Sequence, residues 1–254
     1  MKRIRPILRW PGGKSRLLKK ILPLLPPHTC YCEPFAGGLA VLLAKERSPV
    51  EVVNDLNGDL VHLYRNVQYH LPALLQETEW ILNSRKNLYD FVAQPGLTEI
   101  QRAARWLVRN RISFGGNTRD FGVSRTGGGG STSRSSVAES LRAFNTRMDR
   151  VSVEHLPYDR CLKLYDGKET FFFVDPPYVD STPHVYEGWD EPKMTALKEN
   201  LFRLKGRWLL TVNDTDFTRK LFKNCSMISV RTSNGVVNNA RLPQATFGEL
   251  IVQP

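Results

Sequence analysis

The stretch Phe171-Phe172-Phe173-Val174-Asp175-Pro176-Pro177-Tyr178 decides how this chain is read. Four consecutive apolar residues without polar alternation suit a central strand covered on both faces, as in parallel sheets flanked by helices. Two prolines then remove two backbone donors and stiffen the exit from the strand. In open α/β sheets, residues just beyond the carboxyl ends of strands line the ligand crevice. Asp175, Pro176, Pro177 and Tyr178 are therefore candidate site residues. Such a turn aims the Asp175 carboxylate and the Pro176 carbonyl at one point. There they can accept both hydrogens of a planar aromatic amine while Tyr178 stacks on its ring. The plain alternative is a rigid strand-ending turn, where proline is common.

Outward from this stretch the α/β pattern continues. Cys30 to Glu33 reads as a short strand that enters the turn Pro34-Phe35-Ala36-Gly37-Gly38, followed by an apolar helix through Leu43 and Ala44. Val50 to Val53 reads as a second strand ending at Asn54-Asp55, with a helix from Leu56 to Tyr69 after it. The glycines would let the main chain approach a ligand closely. Asp55 is placed to accept from ribose hydroxyls, as acids do in nucleoside-binding sheets, or to cap the helix behind it. Further strands are predicted at Val151–Val153, Trp208–Val212, Met227–Val230 and Glu249–Val252, and helices over Ser15–Leu25, through most of residues 71–110, and over Val137–Met148. Gly115 to Ser136, with Gly127 to Gly130 at its centre, cannot bury a core and is expected to be a mobile loop. Three polar signatures, at Glu33–Gly38, Asn54-Asp55 and Asp175–Tyr178, fall along one rim of the sheet.

Trp10-Pro11-Gly12-Gly13-Lys14-Ser15 contains the Gly-Lys-Ser of a phosphate-binding loop, but Leu8 stands where that loop needs its first glycine. The nucleotide-triphosphatase reading is rejected. Lys14 can instead pair with a carboxylate and Trp10 can cover an apolar or sulfonium group; otherwise they are a surface lysine and a core tryptophan.

The 254 residues suit one generous domain or a catalytic domain with a substantial insertion, and the formal charge is +11. Residues 102–150 hold ten arginines, no lysine and three acids, a local excess of +7. A cationic surface gains affinity for a polyanion by counterion release, and arginine suits bidentate contact with phosphates and guanine edges. The middle of the chain is thus a candidate nucleic-acid surface. No apolar run is long enough for a membrane helix, and no signal-peptide stretch is evident, so a soluble, non-exported, cytoplasmic protein is expected. Cys30, Cys32, Cys161 and Cys225 lack zinc spacing, and no metal is expected.

Arg9-Trp10-Pro11-Gly12-Gly13-Lys14, Glu33-Pro34-Phe35-Ala36-Gly37-Gly38, Asn54-Asp55, Asn110-Arg111-Ile112-Ser113-Phe114-Gly115-Gly116 and Asp175-Pro176-Pro177-Tyr178, in that order, resemble the Dam-type, or D12 class, S-adenosylmethionine-dependent DNA adenine methylases. The resemblance covers nearly the whole chain. It implies an α/β fold with a doubly wound, Rossmann-like methyltransferase sheet in residues 1–60 and 150–254, and a mainly helical target-recognition insertion in residues 61–149. By it, Trp10, Lys14, Glu33, Pro34, Phe35, Ala36, Gly37, Gly38, Asn54, Asp55 and Asp175 would bind S-adenosyl-L-methionine. Tyr158 would contact the cofactor adenine, with Pro157 in the place of the family's acid and Asp159, on the far side of Tyr158, as its substitute by a one-residue shift. Asp175, Pro176, Pro177 and Tyr178 would be catalytic. Arg109, Asn110, Arg111, Phe114, Asn117, Arg119, Arg125 and Arg134 would contact double-stranded DNA. The implied enzyme is a monomer, or a transient dimer, that methylates adenine N6. The rival readings are methylation of cytosine N4 or RNA, and a DNA-binding regulator without catalysis.

Overall fold

A computed structural model of the protein describes residues 4–81, 83–122, 133–179, 189–233 and 246–254. The chain divides into two compact units. One comprises Met1–Leu18, Gly37–Glu46 and Asp55–His155, the other Lys19–Ala36, Arg47–Asn54 and Leu156–Pro254. The first unit contains the whole 61–149 segment together with shorter pieces from either side of it.

The second unit carries the sheet. The strands in chain order are β1 (Cys30–Glu33), β2 (Val50–Asn54), β3 (Val151–Glu154), β4 (Thr170–Val174), β5 (Arg207–Asn213), β6 (Ser226–Ser233) and β7 (Thr246–Gln253). All but β3 belong to this unit, and these six lie in the order β2-β1-β4-β5-β7-β6. β2, β1, β4 and β5 are parallel, while β7 runs antiparallel to both β5 and β6. From β1 the chain steps outward to β2, and from β4 it steps the other way to β5. This is the expected doubly wound, Rossmann-like sheet, and it leaves the carboxyl ends of β1 and β4 side by side at the switch point.

Burial explains the uninterrupted apolar run. Every residue of β4 is buried, so both faces of the strand are covered. On one face Cys32, Val52, Phe172, Val174, Leu210, Val212, Leu250 and Val252 pack with Cys161 and Leu162 of helix Tyr158–Tyr165 and Met194, Leu197 and Leu201 of helix Glu191–Arg203. Each such large side chain contributes about 1.5–3 kcal/mol of transfer free energy.

The first unit is built from helices Gly58–Tyr69, Leu71–Glu79, Arg85–Ala93, Glu99–Ile112 and Arg134–Met148. Asn57, Ser84, Thr98 and Ser133 each cap a helix by accepting a backbone N–H with their side chains. Leu60, Leu63, Tyr64, Val67, Leu74, Leu107, Leu141 and Phe144 form its buried interior.

Four local expectations are corrected. The apolar stretch after Gly38 is a series of turns rather than a helix: Leu39 adopts φ 57, which breaks helical propagation, and buried Arg147 donates to the Leu42 carbonyl at 2.8 Å. Ser15–Leu25 is not one helix but short pieces, Lys14–Arg16, Leu18–Ile21 and Leu22–Leu24, because Pro23 offers no N–H to continue the ladder. The next helix begins at Gly58, with Asn57 rather than Asp55 as its cap. Finally, residues 115–122 are not structureless. Phe114 N–H donates to the Asp120 carbonyl at 2.7 Å and Gly122 N–H to the Ile112 carbonyl at 2.9 Å, closing a tight hairpin loop. Residues 123–132, Gly127–Gly130 and Arg125 included, lie outside the described residues, and the end of that segment forms the Ser133 cap and first turn of helix Arg134–Met148 rather than loop.

Candidate active site

In the sheet unit, the β1 turn and the β4 corner leave from neighbouring strands. Strand spacing of about 4.8 Å therefore sets the lateral distance between them. Glu33 ends β1 with only 1% exposure, and its Oε1 accepts the Tyr31 hydroxyl at 2.7 Å. Burial, with Glu33 adding to it, pushes the Tyr31 phenol well above its ordinary range. Asn54 staples the turn that follows. Its Nδ2 donates to the carbonyls of Pro34 (2.9 Å) and Leu156 (3.0 Å), its Oδ1 accepts the Leu156 N–H at 2.8 Å, and its own carbonyl accepts the Ala36 N–H at 2.8 Å. Asn54 thereby shapes the turn through the backbone. Phe35, projecting from the turn, stacks on Tyr158 with centroids 5.3 Å apart, and Trp189 meets both rings edge-on at 5.6 and 5.8 Å. The Trp189 Nε1–H is buried and, among the described residues, has no hydrogen-bond partner. Pro157 and Asp159 beside Tyr158 are exposed.

At the β4 corner the register does the positioning. Val174 pairs with Leu210 of β5, which brings Thr211 level with Asp175. The fully buried Thr211 hydroxyl donates to Asp175 Oδ1 at 2.7 Å. A carboxylate offers about four lone-pair sites, so this bond orients Asp175 while leaving it acceptor capacity. Pro176 is buried, and Asn213 donates to the Val179 carbonyl at 3.0 Å, fixing the far side of the corner. The Tyr178 hydroxyl donates to Glu249 Oε2 of β7 at 2.8 Å. Burial, then the negative charges of Asp175 and Glu249, drive the Tyr178 phenol well above its usual range, so it stays neutral.

In the helical unit, Lys14 is 3% exposed and its ammonium donates to the Gly12 carbonyl at 2.6 Å; it is not a surface lysine. Asp55 is locked by two backbone donors, Gly37 N–H to Oδ2 and Asn57 N–H to Oδ1, each 2.9 Å. Burial raises its carboxyl pKa, opposed by those two N–H groups. Tyr64 donates to the Gly37 carbonyl. Gly37 itself sits at φ 45, and a Cβ there would meet Trp10 Nε1 at 2.8 Å. The glycine thus admits the Trp10 indole against the main chain. Gly37→Ala is expected to destabilise this unit by about 1–2 kcal/mol through backbone strain, with a further loss from displacing Trp10. Thermal unfolding checks this, and an unchanged melting temperature would show that Trp10 moves aside at no cost.

The nucleic-acid candidates separate into two groups. Asn110, 1% exposed, binds Arg9 on both sides, accepting its N–H at 2.8 Å and donating to its carbonyl at 2.9 Å, and also donates to the Gly116 carbonyl at 3.0 Å. Arg111 donates to the Ile7 carbonyl at 2.9 Å, and burial lowers its pKa to about 10. Arg109 donates to the Thr118 carbonyl, again with a pKa lowered by burial. Asn110 and Arg109 thus brace the loop, and Arg111 ties the helix end to the Ile7 segment. Phe114, 56% exposed, and Arg119 and Arg134, both exposed, face outward. Asn117 accepts the N–H groups of Arg119 and Asp120 at 3.0 Å each and so shapes the loop tip.

Sequence reading missed Thr211, Glu249 and Trp189. A polar residue inside the apolar strand Trp208–Val212 was a signal for Thr211, but its partner depends on strand register. Nothing in the spacing links Trp189 to Phe35. Among the described residues no group of three His, Cys, Asp or Glu side chains is placed to hold a metal ion, and no helix is long and apolar enough to cross a membrane.

The doubly wound sheet and the acid-bearing corner at its switch point define a Rossmann-like α/β fold with its candidate site at the carboxyl ends of β1 and β4. The family model described as D12 class N6 adenine-specific DNA methyltransferase matches residues 10–235, and the chain belongs to that family. It is 26% identical to the Type II methyltransferase M.CviBI of Paramecium bursaria Chlorella virus NC1A, over 86% of each chain. It is 25% identical to a DNA adenine methylase of Vibrio cholerae, over 94% of this chain and 92% of the relative. It is 26% identical to the Retron Ec67 DNA adenine methylase of Escherichia coli, over 91% and 85% respectively.

Proposed function

We propose that this chain transfers a methyl group from S-adenosyl-L-methionine to N6 of an adenine turned out of double-stranded DNA. The observation that carries the reading is the Asp175 carboxylate, set at the β1/β4 switch point by a stiff Pro-Pro turn and oriented by buried Thr211. The residues fit the cofactor. Asp55 is held by Gly37 and Asn57 in one orientation suited to ribose hydroxyls, and the Phe35–Tyr158–Trp189 cluster, with a buried indole N–H that has no partner among the described residues, suits a purine. Trp10 and Lys14 are assigned to the cofactor on the family resemblance. When bound, the cofactor supplies an electrophilic methyl group on a sulfonium.

The chain's own work is to bind, orient and stabilise. Asp175 and the Pro176 carbonyl accept the two hydrogens of the adenine amine, and so return electron density to N6 and stabilise the positive charge that develops there. Holding donor and acceptor in line supplies much of the remaining acceleration. A paired adenine is unreachable, so extrusion at a few kcal/mol is required, partly offset by stacking on Tyr178 worth about 1–3 kcal/mol. DNA is held by outward-facing Arg119, with Phe114 on the same loop, and by Arg134 at the start of its helix. Arg119→Ala is expected to lower the slope of log affinity against log salt by about 1, whereas Arg111→Ala should mainly loosen the helix end from the Ile7 segment. Equal salt slopes for wild type and Arg119→Ala in a filter or anisotropy titration would remove Arg119 from the interface.

The direct test is to sequence genomic DNA for modified adenine with and without expression of this chain, and to digest the methylated DNA for mass spectrometry. N6-methyladenine at a defined sequence is the expected product. N4-methylcytosine, or no modified base, would overturn the reading.

A further inference from the structure

We propose that Glu249 on β7 is a positioning residue for methyl transfer, accepting a hydrogen bond from the Tyr178 hydroxyl and so fixing the plane of the ring on which the extruded base stacks. This rests on the functional reading above. The sheet places the two partners. Thr211 of β5 is level with Asp175 and pairs with Ile251 of β7. Residues two apart on a strand share a face, so Glu249 lies on the same face as Ile251, on the side to which Asp175 and Thr211 project. β7 is held there tightly: the Asp214 N–H donates to the Gly248 carbonyl at 2.9 Å, and a Cβ on Gly248 would meet the Asp214 Cβ at 2.8 Å. The backbone next to Glu249 therefore cannot drift, and its carboxylate reaches the Tyr178 hydroxyl at 2.8 Å.

The chemistry of a phenol gives the contact its meaning. Tyrosine has one hydroxyl proton, and here it is donated in a hydrogen bond to Glu249. The hydroxyl is left with acceptor lone pairs only, so Tyr178 meets the base through its ring face rather than by donating a hydrogen bond. A charge-assisted bond at the para position also restrains rotation of the side chain, since its far end is pinned to a neighbouring strand. A phenylalanine would offer the same face without the anchor. Burial and the two carboxylates keep the phenol protonated, so the anchor persists across the neutral range.

The test compares wild type with Glu249→Leu, Glu249→Gln, Tyr178→Phe and the Tyr178→Phe/Glu249→Leu double variant. It measures kcat and KM for methyl transfer to unmethylated genomic DNA, and S-adenosylmethionine binding by calorimetry. Glu249→Leu should lower kcat about tenfold, the scale of one lost charged hydrogen bond, with cofactor affinity retained. Glu249→Gln should return to within about threefold of wild type, because the amide oxygen still accepts. Tyr178→Phe should match Glu249→Leu, and the double variant should be no worse than either single one, since both remove the same bond. Wild-type kcat for Glu249→Leu, a multiplicative loss in the double variant, or a Glu249→Gln enzyme as impaired as Glu249→Leu would each overturn the proposal. Should Glu249→Leu fail to fold, full kcat in Tyr178→Phe would overturn it alone. A wild-type protein that methylates no adenine refutes the functional reading; an active wild type beside an unimpaired Glu249→Leu refutes only the role of Glu249.

Discussion

Asp175→Ala is expected to abolish measurable methyl transfer, a loss on the order of 10²–10³-fold or more, while S-adenosylmethionine still binds. The expectation follows from where Asp175 stands. It is the acidic side chain of the corner that leaves β4 at the switch point, and its Oδ1 is held by Thr211 at 2.7 Å. Removing it deletes an acceptor for the amine hydrogens without touching Asp55, whose bonds to Gly37 and Asn57 lie in the other unit. The change also strands the fully buried Thr211 hydroxyl, which costs about 1–3 kcal/mol, so a lower melting temperature is expected alongside the kinetic loss. Calorimetry with S-adenosylmethionine separates the two effects: binding that persists shows a folded protein lacking its chemistry. Appreciable turnover by this variant would defeat the assignment.

The second large effect is structural and falls on a residue that the family motif suggests for DNA contact. Asn110→Ala should destabilise the protein by about 2–4 kcal/mol, because it leaves the Arg9 N–H and carbonyl and the Gly116 carbonyl without their partner in a buried place. In a chain of this size each kcal/mol lowers the melting temperature by roughly 2–4 °C. The loop cannot readily adjust. Gly116 sits at φ 82, and a Cβ on it would approach the Arg9 carbonyl to 2.1 Å, so the two backbones are pressed together at this point. DNA affinity should fall as the loop loosens, but the slope of log affinity against log salt should stay at the wild-type value, because a neutral amide displaces no counterion. Wild-type stability combined with weakened DNA binding would make Asn110 a contact residue rather than a staple.

The same contrast runs through the rest of the molecule. Strand positions were legible because burial imposes composition: Phe171–Val174 could only be a doubly covered strand, and the other predicted strands also form. The helix expected after Gly38 failed for the converse reason. Leu39, Val41, Leu42 and Leu43 are apolar because they are buried, and burial alone does not require helical geometry when Leu39 adopts a positive φ. The loop at 115–122 looked structureless by composition, yet Ser113 and Asn117 supply side-chain acceptors for its backbone N–H groups, and polar residues that close a turn resemble in composition those that merely solvate one.

By itself the sequence determined the class of fold, the family, and the acidic proline-stiffened corner, because periodicity, turn chemistry and motif order are local properties of the chain. Tertiary structure alone decided which partners hold that corner. Thr211 and Glu249 reach Asp175 and Tyr178 from 36 and 71 residues away, through the register of strands that are neighbours in space and distant in sequence. Likewise Arg109, Asn110 and Arg111 read as nucleic-acid contacts by charge and motif, and packing commits part of their donors to the carbonyls of Thr118, Arg9 and Ile7. A side chain's chemistry is written in the sequence; the atom it bonds is set by packing.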